Sequence, residues 1–149
     1  MNILLVCSSG GHFRALQQLH PFWETYDRCW VTFQTAQTEA ALSQETVVWA
    51  FGPTNRNVPN LFRNLFLAWK LISKNKPDLV LTTGAGVAVP FIILAKLWGS
   101  QTAFVESITR AEELSLSARI VLPFLDALYV HWPQLKERYP NAELITSHA

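Results

Sequence analysis

Apolar residues gather along this chain into short blocks that alternate between two spacings. Residues 3–7, ILLVC, form an unbroken apolar run of strand length. Shorter runs rich in β-branched or aromatic residues stand at 29–33, 46–51, 79–83, 102–106 and 127–131, with a last one at 143–146. Between them apolar positions recur at helical intervals over 13–19, 60–75, 87–98, 116–124 and 133–138. Within 60–75 the stripe is Leu61, Leu65, Trp69 and Ile72, and Pro77 ends the helix. Strands that are apolar throughout, rather than alternating, belong to a parallel sheet covered on both faces. Their alternation with helices predicts an α/β fold: a doubly wound, Rossmann-like parallel sheet built from right-handed crossovers. A chain of 149 residues makes this one domain, 1–149.

Composition narrows the class. Charged residues are only 15% and the net charge is +1, so a nucleic-acid partner is not expected. Six tryptophans and nine phenylalanines on so weakly charged a chain predict an exposed apolar patch, for a partner or a membrane. The longest weakly polar stretch, 84–95, falls short of the roughly 20 residues of a spanning helix. No cationic leader precedes the first apolar run. A cytoplasmic protein lying peripherally on a membrane is therefore expected. Basic and aromatic residues mix in 56–77, with Phe62, Phe66 and Trp69 among Arg56, Arg63, Lys70, Lys74 and Lys76. That mixture suits an anionic lipid interface, and Phe62, Arg63, Phe66, Trp69 and Lys70 are its expected contacts. The competing reading is a core-facing helix with a solvated basic edge. Helix 87–98, apolar nearly all round, is either deeply buried or partly lipid-facing.

Cys7 ends the first strand and Cys29 begins the second. On parallel neighbours this separates them by about 13 Å, beyond disulfide reach, so two free thiols are expected. No spacing of Cys or His suggests a metal site, and no cofactor is expected. His20, His131 and His148 read as ordinary surface or strand-end histidines.

Chemistry concentrates where ligands bind in such a fold, at the carboxyl ends of strands beside the point of order reversal. The first strand runs into Ser8-Ser9-Gly10-Gly11-His12 and then a helix. Glycines there let backbone N–H groups approach an anion, and the helix N-terminus favours it. The bland alternative is a strand-to-helix turn with Ser9 near a cap. A second glycine turn, Thr83-Gly84-Ala85-Gly86, follows the fourth strand, which neighbours the first in a doubly wound order. Two such mouths across one crevice are more specific than either alone. Glu106, ending the fifth strand, is followed by Ser107 and Arg110. A carboxylate there orients a hydroxyl, acts as a base, or is braced by Arg110. A nucleotide-binding reading is weak, because Phe33-Gln34-Thr35 supplies no acid to hold a ribose.

Together "SSGGH", "PDLVLTTGAGVAVPFIILAK", "FVESITR" and "DALYVHWPQLKERYP" resemble the Alg14-type subunits of two-part glycosyltransferases, especially the bacterial PssD-like members of exopolysaccharide assembly. A more distant likeness is to the acceptor-binding N-terminal domain of the glycosyltransferase that forms lipid II. The resemblance implies the N-terminal, acceptor-side half of a GT-B enzyme split over two chains. A separate Alg13/PssE-like catalytic subunit would bind the UDP-sugar. The sugar would pass to a polyprenyl-diphosphate-linked saccharide at the cytoplasmic membrane surface. By the same resemblance Ser9, Gly10, Gly11, Gly84, Gly86, Ser107 and Arg110 bind the acceptor diphosphate, and His12 or Glu106 takes the proton of the attacking hydroxyl. Trp132 and Tyr139, in the carboxyl-terminal stretch, are expected at the partner interface. Eukaryotic relatives carry an N-terminal membrane helix that this sequence lacks, so anchoring is expected to be peripheral or through partners. His131-Trp132-Pro133 also departs from the usual Gln-Trp-Pro. The competing function is a non-catalytic scaffold that only recruits the catalytic chain.

Overall fold

The structure, a computed structural model, describes residues 1–54 and 57–145. The expected contribution of Arg56, the reading of His148 and the end of the last strand at Thr146 lie outside the described residues. Seven strands form one sheet: β1 Asn2–Cys7, β2 Asp27–Thr32, β3 Val47–Trp49, β4 Leu79–Gly84, β5 Gln101–Val105, β6 Ala127–Val130 and β7 Glu143–Leu144. Every pairing is parallel, in the order β3-β2-β1-β4-β5-β6-β7. The order reverses at β1, which lies between β2 and β4, so the doubly wound prediction holds and the switch point falls where the two glycine turns emerge.

The helices are α1 Gly11–Gln18, α2 His20–Trp23, α3 Ala36–Ala41, α4 Val58–Asn75, α5 Ala88–Leu97, α6 Leu116–Val121 and α7 Pro133–Arg138, with a 3-10 turn at Leu122–Phe124. Two departures from expectation have local causes. The predicted helix 13–19 ends early, and Pro21 sits in the first turn of the separate α2. Helix α3 was not expected at all. It starts on a reciprocal cap in which Thr35 accepts from the Thr38 N–H and Thr38 accepts from the Thr35 N–H.

Alternation along β1 divides the core between the two faces of the sheet. Ile3, Leu5 and Cys7 join Phe13, Leu16, Trp23 and Trp30 under α1 and α2. Leu4 and Val6 join Cys29, Val31, Ala68, Ile72 and Phe91 under α4 and α5. Cys7 and Cys29 thus lie on opposite faces. Leu4 pairs with Cys29, so their offset along the strands is three residues, about 10 Å rather than 13. Both thiols are free and buried. Burial pushes Cys7 up to about 12, only partly opposed by its hydrogen bond to Thr32, and burial also raises Cys29. Helix α5 packs between α4 and α6 and is buried along most of its length, leaving Leu97 and the following Trp98 exposed.

Helix α4 departs most from its sequence pattern. Its buried stripe is Asn60, Asn64, Ala68 and Ile72. Of the predicted apolar stripe only Ile72 is buried, while Leu61, Leu65 and Trp69 face outward with Val58, Phe62 and Phe66. Phe62 is 63% exposed and Phe66 61%. Helix α4 therefore faces the core through one stripe and leaves its aromatic face and its basic residues exposed.

The first face is held at its edge by a polar clamp. Trp30 is fully buried and its indole N–H donates to Glu45 Oε1 at 2.9 Å. Arg28 donates to both carboxylate oxygens, at 2.6 and 3.0 Å. Burial alone would raise the Glu45 pKa. The hydrogen bonds from Arg28 and Trp30 outweigh it and hold the carboxyl below its usual value. A depressed carboxylate stabilises the fold above its unfolded pKa and ceases to do so as pH falls through its folded one. Glu45→Gln is expected to destabilise the protein by about 1.5–3 kcal/mol at pH 7. Urea denaturation should show that gap narrowing below about pH 4.

Candidate functional site

The β1 and β4 ladder carries one irregularity, and it builds the site. Val6 pairs with Thr82 but Cys7 pairs with Gly84, so Thr83 is an extra residue outside the register. Such a bulge turns backbone groups away from the ladder. Thr83 directs its own toward His12. Its carbonyl accepts from the His12 ring, Nδ1 to O at 2.8 Å, and its hydroxyl donates to the His12 carbonyl at 2.6 Å. The Ser8 N–H donates to the Gly84 carbonyl at 2.9 Å, and Thr82 Oγ1 accepts the Gly84 N–H. The two glycine turns are therefore one hydrogen-bonded unit. The carbonyl partner sets the imidazole tautomer: Nδ1 carries the proton, and Nε2 of the neutral ring has a free lone pair.

The glycines differ in what they permit. Gly84 has φ +108°, and a Cβ there would lie 3.0 Å from His12 Nδ1, so its absence admits the imidazole. A Cβ at Gly86 would lie 3.3 Å from Thr54 Oγ1. At Gly10 and Gly11 a Cβ would meet nothing within 4 Å, so that approach is open. Gly10, with φ +79°, caps α1, and among the described residues no side chain bonds to the first-turn N–H groups. In the bland alternative Ser9 lies near the cap; Gly10, next to it, takes the cap position itself, and the Ser9 side chain forms no hydrogen bond among the described residues.

Glu106 is 2% exposed at the end of β5, and its carboxylate is occupied by the loop that follows. Oε1 accepts the Ser107 N–H at 2.9 Å and Oε2 accepts the Ser115 N–H at 2.7 Å, closing residues 106–115 into a ring ahead of α6. The alternative brace from Arg110 is absent among the described residues, where the Arg110 side chain is exposed and makes no ion pair. Trp132 pins the same loop, its indole N–H donating to the Ile108 carbonyl at 2.6 Å. Arg138 adds a bond to the Glu112 carbonyl. Ser107 and Thr109 share a hydroxyl bond on the outer side of the loop. Of the expected interface aromatics, Trp132 is thus a loop anchor, and Tyr139 is half-buried against the core.

The structure therefore unites His12, Thr83 and Gly84. It places Gly10 and Gly11 on an open approach and sets Glu106 one strand away, facing its own loop. Thr83 carried no expectation; only a bulge brings it to the imidazole, and a bulge leaves no mark in residue spacing. A hollow of about 1260 Å³ lies elsewhere, over the part of the first face lined by Leu79, Leu81, Ala103, Val105 and Tyr129. Among the described residues no His, Cys, Asp and Glu cluster could hold a metal ion, and no helix is long and apolar enough to cross a membrane.

The profile of the family described as "Oligosaccharide biosynthesis protein Alg14 like" matches residues 52–147. The chain is similar to the UDP-N-acetylglucosamine transferase subunit ALG14 of Homo sapiens, 41% identical over 85 residues, covering 53% of this chain and 39% of the relative. Against the ALG14 subunit of Debaryomyces hansenii the likeness is 24% over 176 residues, covering 95% of this chain and 74% of the relative. The match to the human relative thus takes in about two fifths of that protein. Among solved structures, MurG of Acinetobacter baumannii superposes with a TM-score of 0.70 at 16% identity, over 89% of this chain and 42% of that one. At that identity the likeness is one of fold.

Proposed function

The chain belongs to the Alg14-like family of oligosaccharide-biosynthesis proteins, and on that footing we propose that it is the acceptor-side subunit of a glycosyltransferase. The relatives' names supply the reaction class, sugar transfer from a UDP-sugar such as UDP-N-acetylglucosamine. The proposed acceptor is a saccharide linked to a polyprenyl diphosphate, presented at the cytoplasmic face of a membrane, as in exopolysaccharide assembly. The donor sugar nucleotide sits on a separate Alg13/PssE-like catalytic subunit. The observation that carries the reading is the imidazole locked between two glycine turns at the switch point.

In this reading the uncapped N–H groups of the first turn of α1, beyond Gly10 and Gly11, receive the acceptor diphosphate. His12 Nε2 takes the proton from the attacking sugar hydroxyl. That oxygen bonds to the anomeric carbon as the bond to UDP breaks, and the electron pair leaves with the diphosphate of UDP. Glu106 holds residues 106–115 in place, and Ser107 and Arg110 of that loop bind the acceptor diphosphate. The outward ridge of α4 rests on the membrane, with Arg63 and Lys70 toward anionic headgroups.

Co-expression with the donor-binding chain tests this. The pair is expected to transfer sugar from a UDP-sugar to lipid acceptor in isolated membranes, and each chain alone to transfer none. Full transfer by the donor-binding chain alone would refute the acceptor-side role.

A further inference from the structure

The buried stripe of α4 has asparagines at two positions where a core helix ordinarily carries aliphatic residues. Asn60 is 5% and Asn64 1% exposed. Buried amides are costly unless hydrogen-bonded, and both bond to one short loop. Asn64 holds Phe51 on both sides, Oδ1 accepting its N–H and Nδ2 donating to its carbonyl, each at 2.9 Å. Asn60 Nδ2 donates to the Pro53 carbonyl at 2.9 Å, and its Oδ1 accepts from Arg63 at 2.7 Å. Three hydrogen bonds thus fix the backbone at residues 51 and 53. The next residue is Thr54, whose hydroxyl lies 3.3 Å from where a Cβ of Gly86 would stand. Thr54 is half-buried and makes no hydrogen bond among the described residues. An aliphatic stripe would pack α4 equally well against the sheet. It would not set this loop at the second glycine turn.

We infer that Asn60 and Asn64 are positioning residues that hold the loop so that the Thr54 hydroxyl donates to an oxygen of the acceptor diphosphate at the second glycine turn. The inference rests on the acceptor-side reading above. It adds a third element to the cradle, delivered from the helix whose opposite face is the exposed aromatic ridge.

Calorimetric titration of farnesyl diphosphate into the full chain tests it, with inorganic pyrophosphate as the arm that separates a lipid-linked diphosphate from a free one. Thr54→Val, nearly isosteric, is expected to weaken farnesyl diphosphate binding about tenfold. Thr54→Ser should restore it to within threefold. Asn64→Ala should cost about as much as Thr54→Val, and the double variant no more than the Thr54→Val change alone, because Asn64 acts through Thr54. Hydrogen exchange at the Phe51 amide should accelerate in Asn64→Ala and not in Thr54→Val. Undiminished binding by Thr54→Val overturns the inference, as do losses that multiply in the double variant. Failure of the wild-type chain to bind either diphosphate overturns both the inference and the acceptor-side reading. Binding that depends on Thr54, with no transfer by the two-chain complex, refutes that reading and leaves the third element standing.

Discussion

His12→Asn should lower turnover of the reconstituted two-chain transferase by about 10²–10⁴-fold while leaving the thermal midpoint of the chain nearly unchanged. The choice of asparagine follows from the geometry. The His12 ring does two things: Nδ1 ties the first glycine turn to the Thr83 carbonyl, and Nε2 offers a lone pair. An asparagine Nδ2 occupies nearly the position of Nδ1 and donates to the same carbonyl, but nothing replaces Nε2. The variant therefore separates proton acceptance from turn architecture. His12→Ala removes both, and should lose activity as fully while also loosening the contact between β1 and β4. Single-turnover rates with acceptor bound distinguish the outcomes. Turnover of His12→Asn within threefold of wild type would remove His12 from the chemistry and favour the scaffold reading, in which recruitment alone suffices.

The same geometry separates His12 from Glu106, both of which the sequence offers as the base, with His12 slightly favoured. Both are titratable residues beyond the carboxyl ends of central strands, β1 and β5, with β4 between them. Residue type and spacing rank them only weakly, because the difference lies in what each meets across the chain. His12 meets a carbonyl freed by a bulge, and one ring nitrogen remains available. Glu106 meets two backbone N–H groups, those of Ser107 and Ser115, and both oxygens are engaged. The strand order was legible, because a buried parallel strand must be apolar throughout and this chain alternates such runs with helical ones. The shape of α4 was not. Its helical period predicts that one face differs from the other, but the apolar side of an amphipathic helix is ordinarily the buried side. Here three hydrogen bonds between Asn60 and Asn64 and the loop preceding the helix offset the burial of two amides, and the aromatic face turns outward. Helix α3 escaped notice for a related reason. Its cap is a pair of threonines, Thr35 and Thr38, and not the threonine–glutamate pairing that marks a helix start in sequence.

That outward face carries the second large effect. Val58, Leu61, Phe62, Leu65, Phe66 and Trp69 run along α4 as a ridge that no element covers among the described residues, flanked by exposed Arg63, Lys70 and Lys74. Phe66 and Trp69 lie with ring centroids 6.1 Å apart, and Lys70 Nζ sits 5.7 Å from the Phe66 ring centre. About half or more of each of these aromatic residues is already exposed, so its transfer into a lipid interface adds roughly 1 kcal/mol or more, somewhat below the value for a fully exposed side chain. Each basic residue near an anionic surface adds about 1 kcal/mol. Phe62→Ser, Phe66→Ser and Trp69→Ser combined should therefore weaken binding to phosphatidylglycerol-containing vesicles about 10²–10³-fold. Because these rings cover little of the core, the triple variant should keep its thermal midpoint. Neutralising Arg63 and Lys70 in a separate variant should weaken binding less, and raised salt should reproduce that loss but not the aromatic one. Cosedimentation with vesicles reads all of these. A triple variant that sediments like wild type would move the membrane contact off α4. A wild-type chain that binds vesicles only when its partner chain is present would instead make the ridge a surface for that partner.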